Sequence, residues 1–200
     1  MPETPDLHRH DVHAADGTRL RVYEVPNEDA DEAVLALHGG LTPSRALYAP
    51  PVDGGTDHSW LHAIADRGRA AFALDVRGYG ESEMLPEYDE PKDANDPTAK
   101  AEEVTQDVKA AYDFVANRYE THLLGVSWGT MTGGAFLAAY DDHPRSFTAC
   151  APIYDPDVDI EAVAEMWGKD PDFGGWVTEE YETVRQRQGG GEIFETIWAV

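Results

Sequence analysis

Gly125-Val126-Ser127-Trp128-Gly129, reached through the apolar run Thr121 to Gly125 and followed by small residues as far as Tyr140, decides the fold. An apolar run bounded in this way reads as a buried strand, and the small-residue segment reads as a helix packed against a sheet. The serine between them falls on the turn. Glycines two positions to either side let the backbone bend sharply and let strand and helix pack closely, leaving the hydroxyl exposed above the sheet. The N-terminus of the following helix adds partial positive charge where an oxyanion would form.

Spacing alone does not carry this reading. With 18 Gly in 200 residues, a chance G-x-S-x-G is expected roughly 0.04 times. Context strengthens it. Val34 to Leu37 is a short apolar strand running into His38-Gly39-Gly40, and Ala70 to Leu74 is another running into Asp75-Val76-Arg77-Gly78-Tyr79-Gly80-Glu81-Ser82. Through LALHGG, DVRGYGES and GVSWGT, in that order, the chain resembles the α/β-hydrolase family over about residues 7 to 154.

The elements expected around these motifs alternate. Val12 to Ala15 and Thr18 to Val25 flank the turn dipeptide Asp16-Gly17 and read as a hairpin. His58 to Arg67 carries Trp60, Leu61, Ile64 and Ala65 on one helical face and ends at Gly68. Pro86 to Pro97 is an acid-rich loop, and Asp96-Pro97 announces a helix with Val104, Val108, Ala111, Tyr112 and Val115 on one stripe. Phe147 to Tyr154 is a sixth strand in which Cys150 reads as a small buried residue. Strands and helices in this order predict an α/β fold, a mostly parallel sheet with helices on both faces. The resemblance implies eight strands, of which six can be placed. It further implies a core over residues 1–156 and a helical cap over 157–200, where Ile160, Val163, Ala164 and Trp167 form one stripe, Val177, Tyr181 and Val184 another, and Gly189-Gly190-Gly191 a joint.

Composition narrows the function classes. The chain holds 39 Asp and Glu against 15 Lys and Arg, a net charge of −24, and only four of its basic residues are Lys. Such a charge argues against nucleic acid as a partner. It also strains a compact state by self-repulsion, as halophilic proteins tolerate in high salt, so a salt-adapted protein is expected; an ordinary acidic protein is the alternative. The polar segment Met1 to His13 has no apolar signal region, and no stretch reaches the ~18 apolar residues of a membrane span. A soluble cytoplasmic protein acting on a small molecule is the expectation, with neither cofactor nor metal. Asp155-x-Asp157-x-Asp159 lacks the sharp-turn glycine of a calcium loop, and His8, His10 and His13 read as incidental on an exposed strand.

The resemblance implies a serine hydrolase. Ser127 would attack a carbonyl carbon, with the backbone N–H of Trp128 and of Gly40 or Leu41 holding the oxyanion. A serine hydroxyl needs a base, which the family supplies as a His after its last strand, oriented by Asp or Glu. Only His143 follows Ser127, in a helix-ending turn on the wrong side of the sheet, and His38 would shape the oxyanion loop. A C-terminally shortened chain accounts for this, and the resemblance allows Asp155, Asp157 or Asp159 as the candidate acid, since a minority of the family places it after the sixth strand. Arg77 is expected to pair with carboxylates and Tyr79 to border the pocket or pack. A serine in place of Asp disfavours epoxide hydrolase chemistry. Carboxylic esters are the first substrate class. A proline iminopeptidase-like aminopeptidase is the runner-up, because Trp follows the Ser while HGGLTPS departs from H-G-G-P-G. A non-catalytic hydrolase-like module is the third reading.

Overall fold

A computed structural model describes residues 4–96, 98–141, 144–153, 176 and 178–199. Six strands, β1 (His8–His13), β2 (Arg19–Val25), β3 (Glu32–Leu37), β4 (Ala70–Asp75), β5 (Glu120–Val126) and β6 (Phe147–Cys150), form one sheet in the order β1-β2-β4-β3-β5-β6. β1 pairs antiparallel with β2, and β2 antiparallel with β4. The pairs β4·β3, β3·β5 and β5·β6 are parallel. Parallel neighbours need long crossovers, and helices supply them: α1 (Ser44–Tyr48) and α2 (Trp60–Ala65) after β3, α3 (Ala101–Ala116) after β4, and α4 (Trp128–Ala139) after β5. Two further helices are described near the end of the chain, α5 (Tyr181–Gln188) and α6 (Glu192–Trp198). No helix among the described residues is long and apolar enough to cross a membrane.

The period-2 geometry of a strand sorts the core into two layers. Leu35, Leu37, Phe72 and Leu74 point to the side of α3 and α4, where they meet Val108, Ala111, Val115 and Phe136, all fully buried. Ala36, Ala71 and Ala73 point to the other side, and their small size lets Tyr48 and Leu61 come close to the sheet. Each large side chain buried in this way contributes roughly 1.5–3 kcal/mol. Every residue of β4 is buried, as expected for a central strand covered on both faces.

Several boundaries differ from the sequence reading. β1 starts at His8 and stops at His13, because Ala14 already belongs to the Asp16-Gly17 turn, where its amide donates to the Thr18 carbonyl at 3.0 Å. α2 begins after Ser59, whose hydroxyl accepts the His62 amide. Trp60 stands 45% exposed, out of the stripe expected for it, leaving Leu61 as the buried anchor. α3 starts at Ala101 and not at Asp96-Pro97; its first turn is closed by Glu103, whose carboxylate accepts the Lys100 amide at 2.9 Å. β6 ends at Cys150, because Ala151 takes φ 49° and leaves the strand conformation. Cys150 is exposed and not the buried small residue expected, since no strand among the described residues covers that side of β6.

Candidate active site

Ser127 sits between β5 and α4 with φ 51° and ψ −116°, a backbone conformation that L-residues rarely adopt. Three hydrogen bonds hold it there. Its amide donates to the Cys150 carbonyl at 2.9 Å, and its own carbonyl accepts the Thr130 amide at 2.8 Å and the Thr130 hydroxyl at 2.6 Å. Thr130 Oγ1 in turn accepts the Ile153 amide at 2.9 Å, binding the segment after β6 to the turn. Strain persists where surrounding contacts over-determine it. A serine at a helix N-cap ordinarily uses its Oγ to accept an amide of the first turn. Here that hydroxyl makes no capping bond, and the residue as a whole is half-buried.

Glycine is required around the turn by contact. A Cβ on Gly125 would stand 2.5 Å from the Gly129 carbonyl oxygen, and one on Gly129 would run into the Leu37 carbonyl. These two approaches press α4 against the ends of β5 and β3. They also bring the His38-Gly39-Gly40 loop to the serine, where a Cβ on Gly39 would stand 3.4 Å from Ser127 Cβ. The Trp128 amide is the first of α4 and has no intrahelical acceptor, as at any helix start.

His38 fixes that loop and is fully buried. Its Nε2 accepts the Val76 amide at 3.3 Å, so Nδ1 carries the proton and donates to the Gly39 carbonyl at 2.7 Å. Burial holds its pKa below the ordinary histidine value, against the pull of the nearby Asp75 charge. With both nitrogens occupied it has no lone pair for a serine proton. Tyr79 packs its ring on His38 at 4.6 Å and on Trp128 at 5.9 Å, and its hydroxyl accepts the Leu41 amide at 3.4 Å. Leu41 itself has φ 67°. Of the two expected donors from this loop, Leu41 therefore already has a weak acceptor, whereas Gly40 is exposed.

Asp75 ties the site together. Its Oδ1 accepts the Ser44 amide at 2.7 Å; its Oδ2 accepts the Tyr23 hydroxyl and the Glu81 amide, each at 3.0 Å. Burial raises its pKa above the ordinary carboxylate range. The available signal was an acid directly after five apolar residues, a position where a carboxylate survives only with donors around it. Arg77 pairs as expected. Its guanidinium holds Asp107 through Nε and Nη2, and Asp16 through Nη1 at 2.8 Å. The Thr18 amide and Arg77 bring the Asp16 pKa down to about 2.

Other sequence candidates lie elsewhere. His10 bonds Glu24 at 2.6 Å on the β1–β2 edge, His62 bonds Ser59 and the Pro5 carbonyl, and His122 bonds Ser146. Ser127 Oγ bonds none of the described histidines. His143, Asp155, Asp157, Asp159 and the expected stripe through Trp167 lie outside the described residues, as does Val177. Beside the His38–Leu41 loop opens a cleft of about 640 Å³, walled on one side by Gly40 to Pro50 and on the other by α5 and α6.

Comparison with known proteins agrees with this architecture. Epoxide hydrolase VrEH1 from Vigna radiata superposes with a TM-score of 0.58 at 19% identity, over 84% of this chain and 47% of that one. Potato (Solanum tuberosum) epoxide hydrolase I gives 0.55 at 19% identity, over 81% and 46%. The bottromycin epimerase BotH, solved with bottromycin A2, gives 0.55 at 23% identity, over 82% and 55%. This chain thus spans about half the length of these proteins, and at such identities the likeness is one of fold. No curated protein matches the sequence. A family model described as alpha/beta hydrolase fold matches residues 32–190, three quarters or more of the chain, which therefore belongs to the alpha/beta hydrolase fold family.

Proposed function

We propose that the chain carries the nucleophile and oxyanion half of a serine hydrolase acting on carboxylic esters. What carries the reading is Ser127: a strained strand-to-helix turn, a hydroxyl not used for capping, and the Gly39–Gly40 loop directly beside it. In the step envisaged, Ser127 Oγ bonds to the acyl carbon while its proton passes to a base. The carbonyl oxygen takes the negative charge opposite the amides of Trp128 and Gly40. Collapse breaks the bond to the alcohol, which leaves with the proton, and water then repeats the sequence on the acyl-serine. Gly40 is the better second donor, because the Leu41 amide already faces Tyr79. His38 and Asp75 position the loop and touch no substrate.

Among the described histidines, His38 has both nitrogens engaged and His10, His62 and His122 have partners remote from the turn, while His58 lies on the cleft wall with Gly40 and Leu41; the base and its acid are read as groups outside the described residues. Residues 157–200 are read as the cap, α5 and α6 being its described part. The fold neighbours favour epoxide opening as a rival, and Ser127 in place of an acid speaks against it. Aminopeptidase action is the runner-up, favoured by Trp128 after the serine. The test is a fluorophosphonate probe with p-nitrophenyl esters, aminoacyl anilides and a styrene-type epoxide assayed side by side. Slow labelling confined to Ser127 and lost in Ser127→Ala is expected, because no described group serves as its base, with ester turnover in a protein that also carries that base. Anilide turnover would promote the runner-up. Labelling elsewhere, or epoxide opening that survives Ser127→Ala, would overturn the proposal.

A further inference from the structure

We propose that Tyr79 is a positioning residue for the oxyanion: its hydroxyl anchors the Leu41 amide and its ring joins that loop to Trp128, so that the Gly40 and Trp128 amides face one oxygen. This deepens the reading of Ser127 as a nucleophile and rests on it. The loop needs an anchor at this place. A trans peptide is planar, so the Gly40 N–H points opposite to the Gly39 carbonyl, and the 2.7 Å bond from His38 Nδ1 to that carbonyl orients both. The following peptide, Gly40–Leu41, receives no bond from His38. Nor does packing fix it, since a Cβ on Gly40 would meet nothing within 4 Å. Its N–H is held by the Tyr79 oxygen at 3.4 Å. Leu41 takes φ 67°, a left-handed conformation that a residue with a side chain keeps only where its surroundings impose it.

Tyr79 is itself firmly placed. Its amide donates to the Val76 carbonyl at 3.1 Å, and its carbonyl accepts the Ser82 amide at 3.0 Å. Val76 in turn donates to His38 Nε2 at 3.3 Å. The Tyr79 ring lies 4.6 Å from the His38 ring and 5.9 Å from that of Trp128, and the latter two are 6.0 Å apart. Three rings thus close a triangle from the His38–Leu41 loop to the first residue of α4. Burial raises the Tyr79 pKa, which keeps a neutral phenol at the Leu41 amide. Because negative charge gathers on the substrate oxygen only as the bond to Ser127 forms, a misplaced donor slows that step and leaves ground-state binding alone.

The test compares the parent with Tyr79→Phe, which keeps the ring and removes the anchor, in phosphonylation by an alkyl fluorophosphonate at increasing concentration. In that step the bond from Ser127 Oγ to phosphorus forms, fluoride leaves and the serine proton passes to water, while the phosphoryl oxygen gathers charge. The limiting rate constant is expected to fall about tenfold with the half-saturating concentration unchanged. A packing role for Tyr79 would leave both values unmoved or shift both. Amide hydrogen exchange read by NMR should show Leu41 exchanging about tenfold faster in Tyr79→Phe, with the amides of β3 and β5 as slow as in the parent. An unchanged limiting rate, a loss that falls on half-saturation, or an unchanged Leu41 exchange rate would each overturn the proposal. If Ser127 of the parent is not labelled at all while Leu41 exchange responds, the hydrolase reading fails and the oxyanion role with it, though the anchoring of Leu41 stands. Equal labelling of both proteins does the reverse, keeping the nucleophile and removing the role of Tyr79.

Discussion

The Ser127 amide donates to the Cys150 carbonyl at 2.9 Å, so the turn that presents the serine is tied to the end of β6 as well as to β5 and α4. The bond holds a residue with a side chain at φ 51° and ψ −116°, where glycine is at ease and serine is not. Ser127→Gly is therefore expected to stabilise the fold by about 1 kcal/mol, the relief of strain exceeding the added entropy of the unfolded chain, while ending any acyl transfer. Urea unfolding checks the first part and fluorophosphonate labelling the second. A loss of stability would mean that the conformation is not strained.

Gly129 and Gly134 lie on the same helix and should respond oppositely to alanine. A Cβ at 129 runs into the Leu37 carbonyl, whereas one at 134 meets nothing within 4 Å. Gly129→Ala is expected to cost about 3 kcal/mol, since backbone on both sides must shift. Gly134→Ala should add roughly 0.5–1 kcal/mol through helix propensity. Melting temperatures of the two variants moving the same way would contradict this packing.

Histidine 38 gives stability a defined pH dependence. Burial depresses its pKa in the folded state below the unfolded value of about 6.5, so below that pH the unfolded chain binds a proton that the native state refuses. Its contribution is intact above about pH 6.5 and is lost as pH falls, by at most about 1.4 kcal/mol per pH unit. His38→Gln can keep both bonds, the amide donating to Gly39 and accepting from Val76, without titrating. Urea unfolding at about pH 7.5 and about pH 5.5 should show a smaller difference for the variant than for the parent.

Net charge predicts the response to salt. With −24 charges on 200 residues, repulsion between exposed carboxylates opposes the compact state, and screening relieves it. The melting temperature is expected to rise across a KCl series from about 0.1 M to about 2 M, where the Debye length shrinks from about 10 Å to below about 3 Å. A flat or falling series would remove salt adaptation from the description.

Local chemistry was sufficient for much of the fold. Apolar runs at β3, β4 and β5, a glycine-spaced serine after one of them and an Asp-Gly turn in the hairpin are short-range signals, and each lies where it was read. Element ends were less legible. Ser59 and Glu103 decide where α2 and α3 start by hydrogen bonds that several alternative residues could have supplied. Burial of Cys150 was misjudged because an apolar strand looks the same whether or not a neighbour covers it.

The sequence by itself determined that a serine stands at a tight turn between a strand and a helix, since periodicity and glycine spacing act over a few residues. Only the tertiary structure decided what surrounds it. Glycine 39 meets Ser127 across 88 residues of chain, Asp75 gathers donors from three segments, and His38 uses both nitrogens on its own loop and on Val76. Such meetings follow from the strand order β4-β3-β5, which places three loop ends side by side, and strand order is set by packing of the whole sheet, not by any one stretch.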